Sequence, residues 1–409
     1  MSDFDVRRWL ARRDASYIAQ RARALGTRYG ISSGRARRRV DTCVRVLAEH
    51  GCSPTFMVPG RVVQAHPQYL RSLTDQGVEL ALHGFDHVDF ATLSPAAVTR
   101  QFERSVDAFN RAGIAFDGFR CPYLSATDAV FRLLPSDLLS YSSNRAVFWP
   151  EARPPGSGNA VLRQLESFYS PRSAKLATSL PFPHAGVIEL PCSLPDDIQI
   201  YDGFRAGEHG LERAWCRVLE TAHAHGELQV LLFHPELADR CGAAFRALLT
   251  LARSLRPHVW ITRLVDVASW WRERSECTVD RTVTAEGHSV LTLRGSARAR
   301  LVRGVVSGRQ LVVSDGSVPL LGVSPEVGPS TRASLVNLGY LLDEHNEPER
   351  CVFHLRRDQA IDRDLVHQLE IQPLVRLARW PDGARSALCI SGDLDALSLV
   401  DYARRLSPR

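Results

Sequence analysis

The chain has almost no lysine (Lys175 alone), no Cys-x-x-Cys pair, no long apolar run and no apolar core at its start. Each absence closes off a class. Without about 18 or more consecutive apolar residues there is no membrane span to expect. The opening Met1-Ser2-Asp3-Phe4-Asp5 carries no signal core, which sets the expectation of a cytoplasmic protein. Nine cysteines scattered singly, an odd number, rule against a zinc ribbon or a disulfide framework and fit reduced thiols. The positive balance, 51 Arg and Lys against 45 Asp and Glu, comes from arginines spread over the whole chain. Only Arg35 to Arg39 cluster, without interleaved aromatics, so no nucleic-acid partner is expected.

What is present is a soluble chain of 409 residues, 44% hydrophobic and 23% charged, long enough for a barrel-sized domain plus a smaller one. Amphipathic periodicity predicts helices over 1–30 and 34–50. Strand and helix then alternate: a buried strand in 53–60, helix 66–76, strand 78–82, helix 94–112, strand 116–119, helix 127–134, strand 139–142. A loop is expected over 150–186, on its Pro and Gly content, as a wall of the site. Alternation resumes with strands 187–190, 228–233 and 259–262 and helices 208–225 and 242–254, an order that argues for a parallel α/β sheet or barrel. Short alternating runs in 278–325 predict a small β-rich domain, followed by helices near 331–343 and 359–369 around a strand at 351–355. A last buried strand, 386–391, carries two aspartates after it.

Two motifs bear the chemistry. His83 and His87 stand four apart, a spacing that on a helical turn puts both imidazoles within reach of one ion. They follow the strand Val78 to Leu82, at the strand end where α/β folds place sites. Arg120-Cys121-Pro122-Tyr123 and His234-Pro235-Glu236 follow other strands in the same way, so their side chains are expected in one mouth. Ser391-Gly392-Asp393-Leu394-Asp395 supplies the carboxylates a metal hydrolase needs, provided the fold brings it to the histidines.

These residues resemble the polysaccharide deacetylases with a NodB-like domain (carbohydrate esterase family four). The likeness covers roughly 50–272 and 380–400. It runs through Thr55 to Gly60, His83 to His87, Phe119-Arg120-Cys121-Pro122-Tyr123, Leu190 to Asp197 and Leu231-Leu232-Phe233-His234. The tryptophan usual in the fourth of these is missing. The family's first motif, a strand ending in paired aspartates, is absent where it is expected, at Thr27 to Gly34. A counterpart appears in Trp380 to Ala396, which reads as a circular permutation.

The resemblance implies a distorted (β/α) barrel of the NodB-like type with its first strand supplied by the C-terminus, plus a small β-rich domain. The expected division is 1–272 for the barrel, 273–365 for the insert and 366–409 for the completing strand and acid loop. It also implies a divalent ion, zinc, on His83, His87 and Asp395, and Asp393 as general base held by a bidentate Arg120. His234 would be the general acid oriented by Asp196 or Asp197, the Tyr123 N–H would meet the oxyanion, and Leu231 would line the acyl pocket. The substrate would be an N-acetylated sugar, free or lipid- or nucleotide-linked. Alternatives are a formamide, amide, cyclic-imide or ureide hydrolase on the same fold, or an inactive glycan-binding protein. A homodimer that swaps the C-terminal strand is a further expectation.

Overall fold

The computed structural model describes residues 25–314, 318–344 and 351–405. Most of the helix expected over 1–30 lies outside the described residues; Leu25 to Arg28 are helical.

Parallel strands dominate the largest sheet. Thr55–Val58 pairs with Glu79–Leu82, which pairs with Gly118–Phe119, which pairs with Tyr141–Ser142. On its other side Thr55–Val58 pairs with Ser386–Asp393, followed by Leu228–Phe233 and Cys192–Leu194. Residues 141–148 and 187–194 then run side by side. Tyr141–Ser142 pairs with Val187–Glu189 and Ala146–Phe148 with Cys192–Leu194, so the sheet curls round upon itself. Between the two stretches the backbone N–H groups of Asn144 and Arg145 donate to the buried Glu189 carboxylate, which fills the break in the ladder. The fold is the expected (β/α) barrel, with extra sheets added.

The helices obey local chemistry. Pro95–Ala112 starts at Ser94, whose hydroxyl caps the Ala97 N–H, and stops at the left-handed Gly113, while Val98, Phe102 and Phe109 bury its inner face. The 150–186 segment is more ordered than a loop: it forms the helix Asn159–Tyr169 and the strands Arg172–Ser173 and Phe182–His184. Its apolar residues at helical spacing, Val161, Leu162 and Leu165, were outweighed by the flanking prolines and glycines.

The C-terminal strand is the most central element. All of Ser386–Asp393 is buried, with Leu228–Phe233 along one edge and Val259–Ile261 then Thr55–Val58 along the other. Leu388 and Ile390 are fully buried in the layer under the helices, which is worth about 1.5–3 kcal/mol each. Residues 278–377 add three-stranded sheets built on Ser289–Arg294, Leu301–Arg303 and Val318–Val323. Arg376–Leu377, in the segment expected to complete the barrel, pairs instead with Leu301–Arg303. The helices in this part are Pro329–Asn337 and Arg363–Glu370. Among the described residues no helix is long and apolar enough to cross a membrane.

Candidate metal centre

Because the strands are parallel, residues that follow them emerge at one end of the barrel. His83 comes directly after Glu79–Leu82 and is fully buried. Its Nδ1 donates to the carbonyl of Arg120 at 2.8 Å, which fixes the tautomer and leaves the Nε2 lone pair toward the carboxylates of Asp393 and Asp395. The His83–His87 segment is not the helical turn its spacing predicts. It is a loop with Gly84 at φ 66° and His87 at φ 53°, and glycine suits residue 84 because a Cβ there would meet the Phe90 ring at 3.0 Å in a left-handed backbone. Gln101 holds the loop by accepting from the Phe85 and Asp86 N–H groups, both at 2.9 Å. The Asp86 carboxylate in turn takes the Arg61 Nε at 2.7 Å.

The acid loop reaches the histidines. His87 Nε2 lies 2.8 Å and His83 Nε2 3.6 Å from Asp395 Oδ1, and the ligating atoms of the three residues all lie within 4.8 Å of one another. Despite the short approach, Asp395 Oδ1 is outside hydrogen-bond geometry, and it and His83 Nε2 are buried without a hydrogen-bond partner among the described residues. An orphaned imidazole lone pair facing an orphaned carboxylate oxygen is an arrangement that a cation could complete, and two imidazoles with one carboxylate fit the donor set of a catalytic zinc. Burial and the nearby Arg405 lower the His87 pKa to about 4, so the ring is neutral, as ligation requires. Burial alone would raise the Asp395 pKa; His87 and Arg405 outweigh it and hold it well below the usual range. Arg405 donates to His87 Nδ1, and an ion on Nε2 requires that contact to open, since the ring's one proton must then sit on Nδ1.

Arg120 is fully buried and reaches Asp393 Oδ1 with Nη1 at 2.8 Å. The pair is single-pronged rather than bidentate, because Nη2 is taken by the hydroxyls of Ser143 and Ser391 at 3.0 and 2.9 Å. Across the cavity His234 Nδ1 lies 2.7 Å from Asp197 Oδ1. Burial lowers the imidazole pKa, but the Asp197 carboxylate outweighs this and raises it to about 10. Asp196 instead closes a turn, accepting from the Gln199 N–H at 2.7 Å, and burial pushes its pKa up.

His87, Tyr123, Asp196, His234, Asp393 and Asp395 line one cavity of about 420 Å³. Tyr123 sits at φ 61°, its ring edge-on to His87 at 4.8 Å. Leu231 is not in this cavity. Leu228, Val230 and Leu232 point inward from their strand and Leu231 and Phe233 outward under the helices, so from this strand it is Leu232 that lines the cavity, with Leu124 and Leu165 from elsewhere. The strand period of two decides which neighbour faces the site.

Sequence reasoning missed Arg28. Its Nη2 reaches Asp395 Oδ2 at 3.1 Å, while Nε donates to Glu236 Oε1 at 2.9 Å. Glu236 is fully buried and also accepts from the Tyr29 hydroxyl at 3.0 Å. The signal was in plain view: Thr27-Arg28-Tyr29 lies where the acid pair was expected, and an arginine there is the complement of a carboxylate arriving from elsewhere.

Residues 33–137, which include His83, His87, Arg120 and Tyr123, match the family model for polysaccharide deacetylase. That segment is similar to the polysaccharide deacetylases, and the barrel that holds it is of the NodB-like type. A chitooligosaccharide deacetylase of Sinorhizobium fredii is 35% identical over 109 residues, 25% of this chain and 47% of that protein. The chain therefore spans about half the length of this curated relative. Similar solved structures include a Mycobacterium smegmatis protein assigned as a polysaccharide deacetylase (20% identity, 62% of this chain and 82% of that one, TM-score 0.46). Another is a family 4 carbohydrate esterase from Streptomyces lividans (19% identity, 52% and 80%, TM-score 0.31).

Proposed function

We propose that this protein is a divalent-metal-dependent hydrolase that removes an N-acetyl, or another small acyl, group from an amino sugar. One observation carries this: the donor atoms of His83, His87 and Asp395 converge within 4.8 Å on a cavity that also holds Asp393 and His234. A zinc ion on those three ligands would supply Lewis acidity toward the amide carbonyl and lower the pKa of water. Asp393 takes the proton of the attacking water, and Arg120 aims its carboxylate through the 2.8 Å contact. His234, kept protonated by Asp197, gives a proton to the leaving amine, without which an amide nitrogen is not expelled near neutral pH. The Tyr123 N–H faces the oxyanion, Leu232 meets the acyl methyl, and Asp196 shapes the turn that presents Asp197. Arg28, braced by Glu236, holds Asp395 by Oδ2 and leaves Oδ1 for the ion.

On this reading Ser386–Asp393 stands in for the family's opening strand, so the chain is a circular permutation: barrel in 1–272, insert in 273–365, completing segment in 366–409. The relative's name makes chitooligosaccharides the first substrates to assay, with lipid- and nucleotide-linked acetamido sugars next. The test is acetate release from N-acetylglucosamine oligomers by protein stripped with chelator and reloaded with Zn²⁺. Release that needs the metal and is lost in Asp393→Asn is expected. Release by the stripped protein, or by Asp393→Asn at the wild-type rate, overturns the proposal.

A further inference from the structure

A second cavity lies at the other end of the barrel. His225 and Arg385 precede the strands Leu228–Phe233 and Ser386–Asp393, at the ends remote from His234 and Asp393, and they share a cavity of about 280 Å³ with Tyr340, His367, Glu370 and Arg376 of the added module. Its walls are short of negative charge. Glu370 is the only carboxylate among the lining residues, and its Oε1 is taken by Arg379 at 2.9 Å. Arg385 donates to the carbonyls of His223 and Ala224, which satisfy its N–H groups without neutralising its charge.

Arg376 has less. Among the described residues its guanidinium makes no hydrogen bond or ion pair, and Glu370 acts on it only at longer range. The adjacent Tyr340 hydroxyl and Arg379 Nε are buried without hydrogen-bond partners as well. Burial and the neighbouring Arg379 push the Arg376 pKa down to about 10, and burial, Arg379 and Arg376 push that of Arg274 behind it to about 9. Several guanidiniums crowd round one carboxylate that is already used. Arg376 is half-buried and reaches the cleft's solvent, and the buried, unpartnered hydroxyl of Tyr340, its neighbour across the backbone bridge, marks the place of an absent partner in this polar cavity. Arg376 and Arg385 together leave two positive charges, while burial lowers the pKa of His225 and keeps it neutral. The fitting partner is a dianion rather than a carboxylate.

We propose that this cleft binds a phosphate-class dianion, held by Arg376 with the Tyr340 hydroxyl, Arg385 and His367 around it, and that the ligand ties the module to the base of the barrel. The proposal is independent of the deacetylase reading.

The test is the thermal midpoint of the full chain in inorganic phosphate against chloride at equal ionic strength, for wild type and Arg376→Met. Wild type is expected to rise by about 3 °C or more at saturating phosphate. Arg376→Met, which keeps the apolar stem and drops the charge, is expected to match or exceed wild type in chloride and to gain nothing from phosphate. No phosphate-specific rise in wild type, or an equal rise in both proteins, overturns the proposal. If Arg376→Met fails to fold, equilibrium dialysis of inorganic phosphate against wild type decides instead, and absence of saturable binding overturns it. A third arm with glucose 1-phosphate separates the sources. A larger Arg376-dependent shift than with phosphate identifies an ester as the ligand, and a smaller one identifies the free ion.

Discussion

Replacing Arg28 by alanine separates the metal-centred account from a merely structural one. The substitution removes the 3.1 Å contact to Asp395 Oδ2 and strips Glu236, which is fully buried, of its cation. Breaking a buried ion pair from one side costs about 3–5 kcal/mol, and Arg28, with a side chain 19% exposed, belongs near the lower figure. Loss of a group that orients a metal ligand typically costs about 10–100-fold in metal affinity. The two effects come apart in the double variant Arg28→Ala/Glu236→Gln. A neutral amide no longer needs a cation, so the stability loss should shrink to about 1 kcal/mol, while the metal affinity stays low because the 3.1 Å contact to Asp395 Oδ2 is gone and only the more distant Arg405, at 3.8 Å, remains. Urea denaturation reads the first quantity and competition with a chromophoric chelator the second. Wild-type metal affinity in the folded double variant would refute the reasoning, since Arg28 would then serve only Glu236.

Other expectations follow from the same geometry. Arg120→Lys cannot serve Asp393, Ser143 and Ser391 together, and kcat should fall about 10²-fold or more with KM nearly unchanged; steady-state kinetics on an acetylated oligosaccharide checks this. His234 has a folded pKa of about 10 against an ordinary 6.5, so its protonated form is favoured by folding. The stability it contributes is complete below pH 6.5 and is lost as pH rises toward 10, and the alkaline limb of kcat should lie near 10. In Asp197→Asn that limb should move down toward about 6.5, and a pH–rate profile that does not move would exclude Asp197 as the cause. Gly392→Ala should cost about 1–3 kcal/mol by denaturant titration, because the new Cβ would lie 2.6 Å from the Pro235 ring beside His234.

How much of this was legible in the sequence depends on the period of each signal. Buried strands such as Leu228–Phe233 stood out as short apolar runs, and amphipathic helices such as Pro95–Ala112 because their apolar residues repeat at helical spacing. The residues that follow the strands could be located for the same reason: parallel pairing sends His83, Arg120, His234 and Asp393 to one end. Conformation within a loop could not be read. A spacing of four suits a helix, yet the pair His83 and His87 converges through a loop in which Gly84 and His87 are left-handed. Which of Asp196 and Asp197 meets His234 is fixed by a turn closed through Gln199, and Leu231 was misplaced by one residue on a strand whose two faces are both apolar. Long-range partners were the hardest: Arg28 and Asp395 are separated by most of the chain and meet only when the last strand enters the sheet.

The central claim is that this strand delivers Asp395 to the two histidines as a metal ligand. Metal content of folded wild type beside Asp395→Asn, after identical loading with Zn²⁺ and desalting, tests it most directly. About one ion per chain is expected in wild type, and a near-empty variant of unchanged circular dichroism. Equal metal content in the two proteins would contradict it.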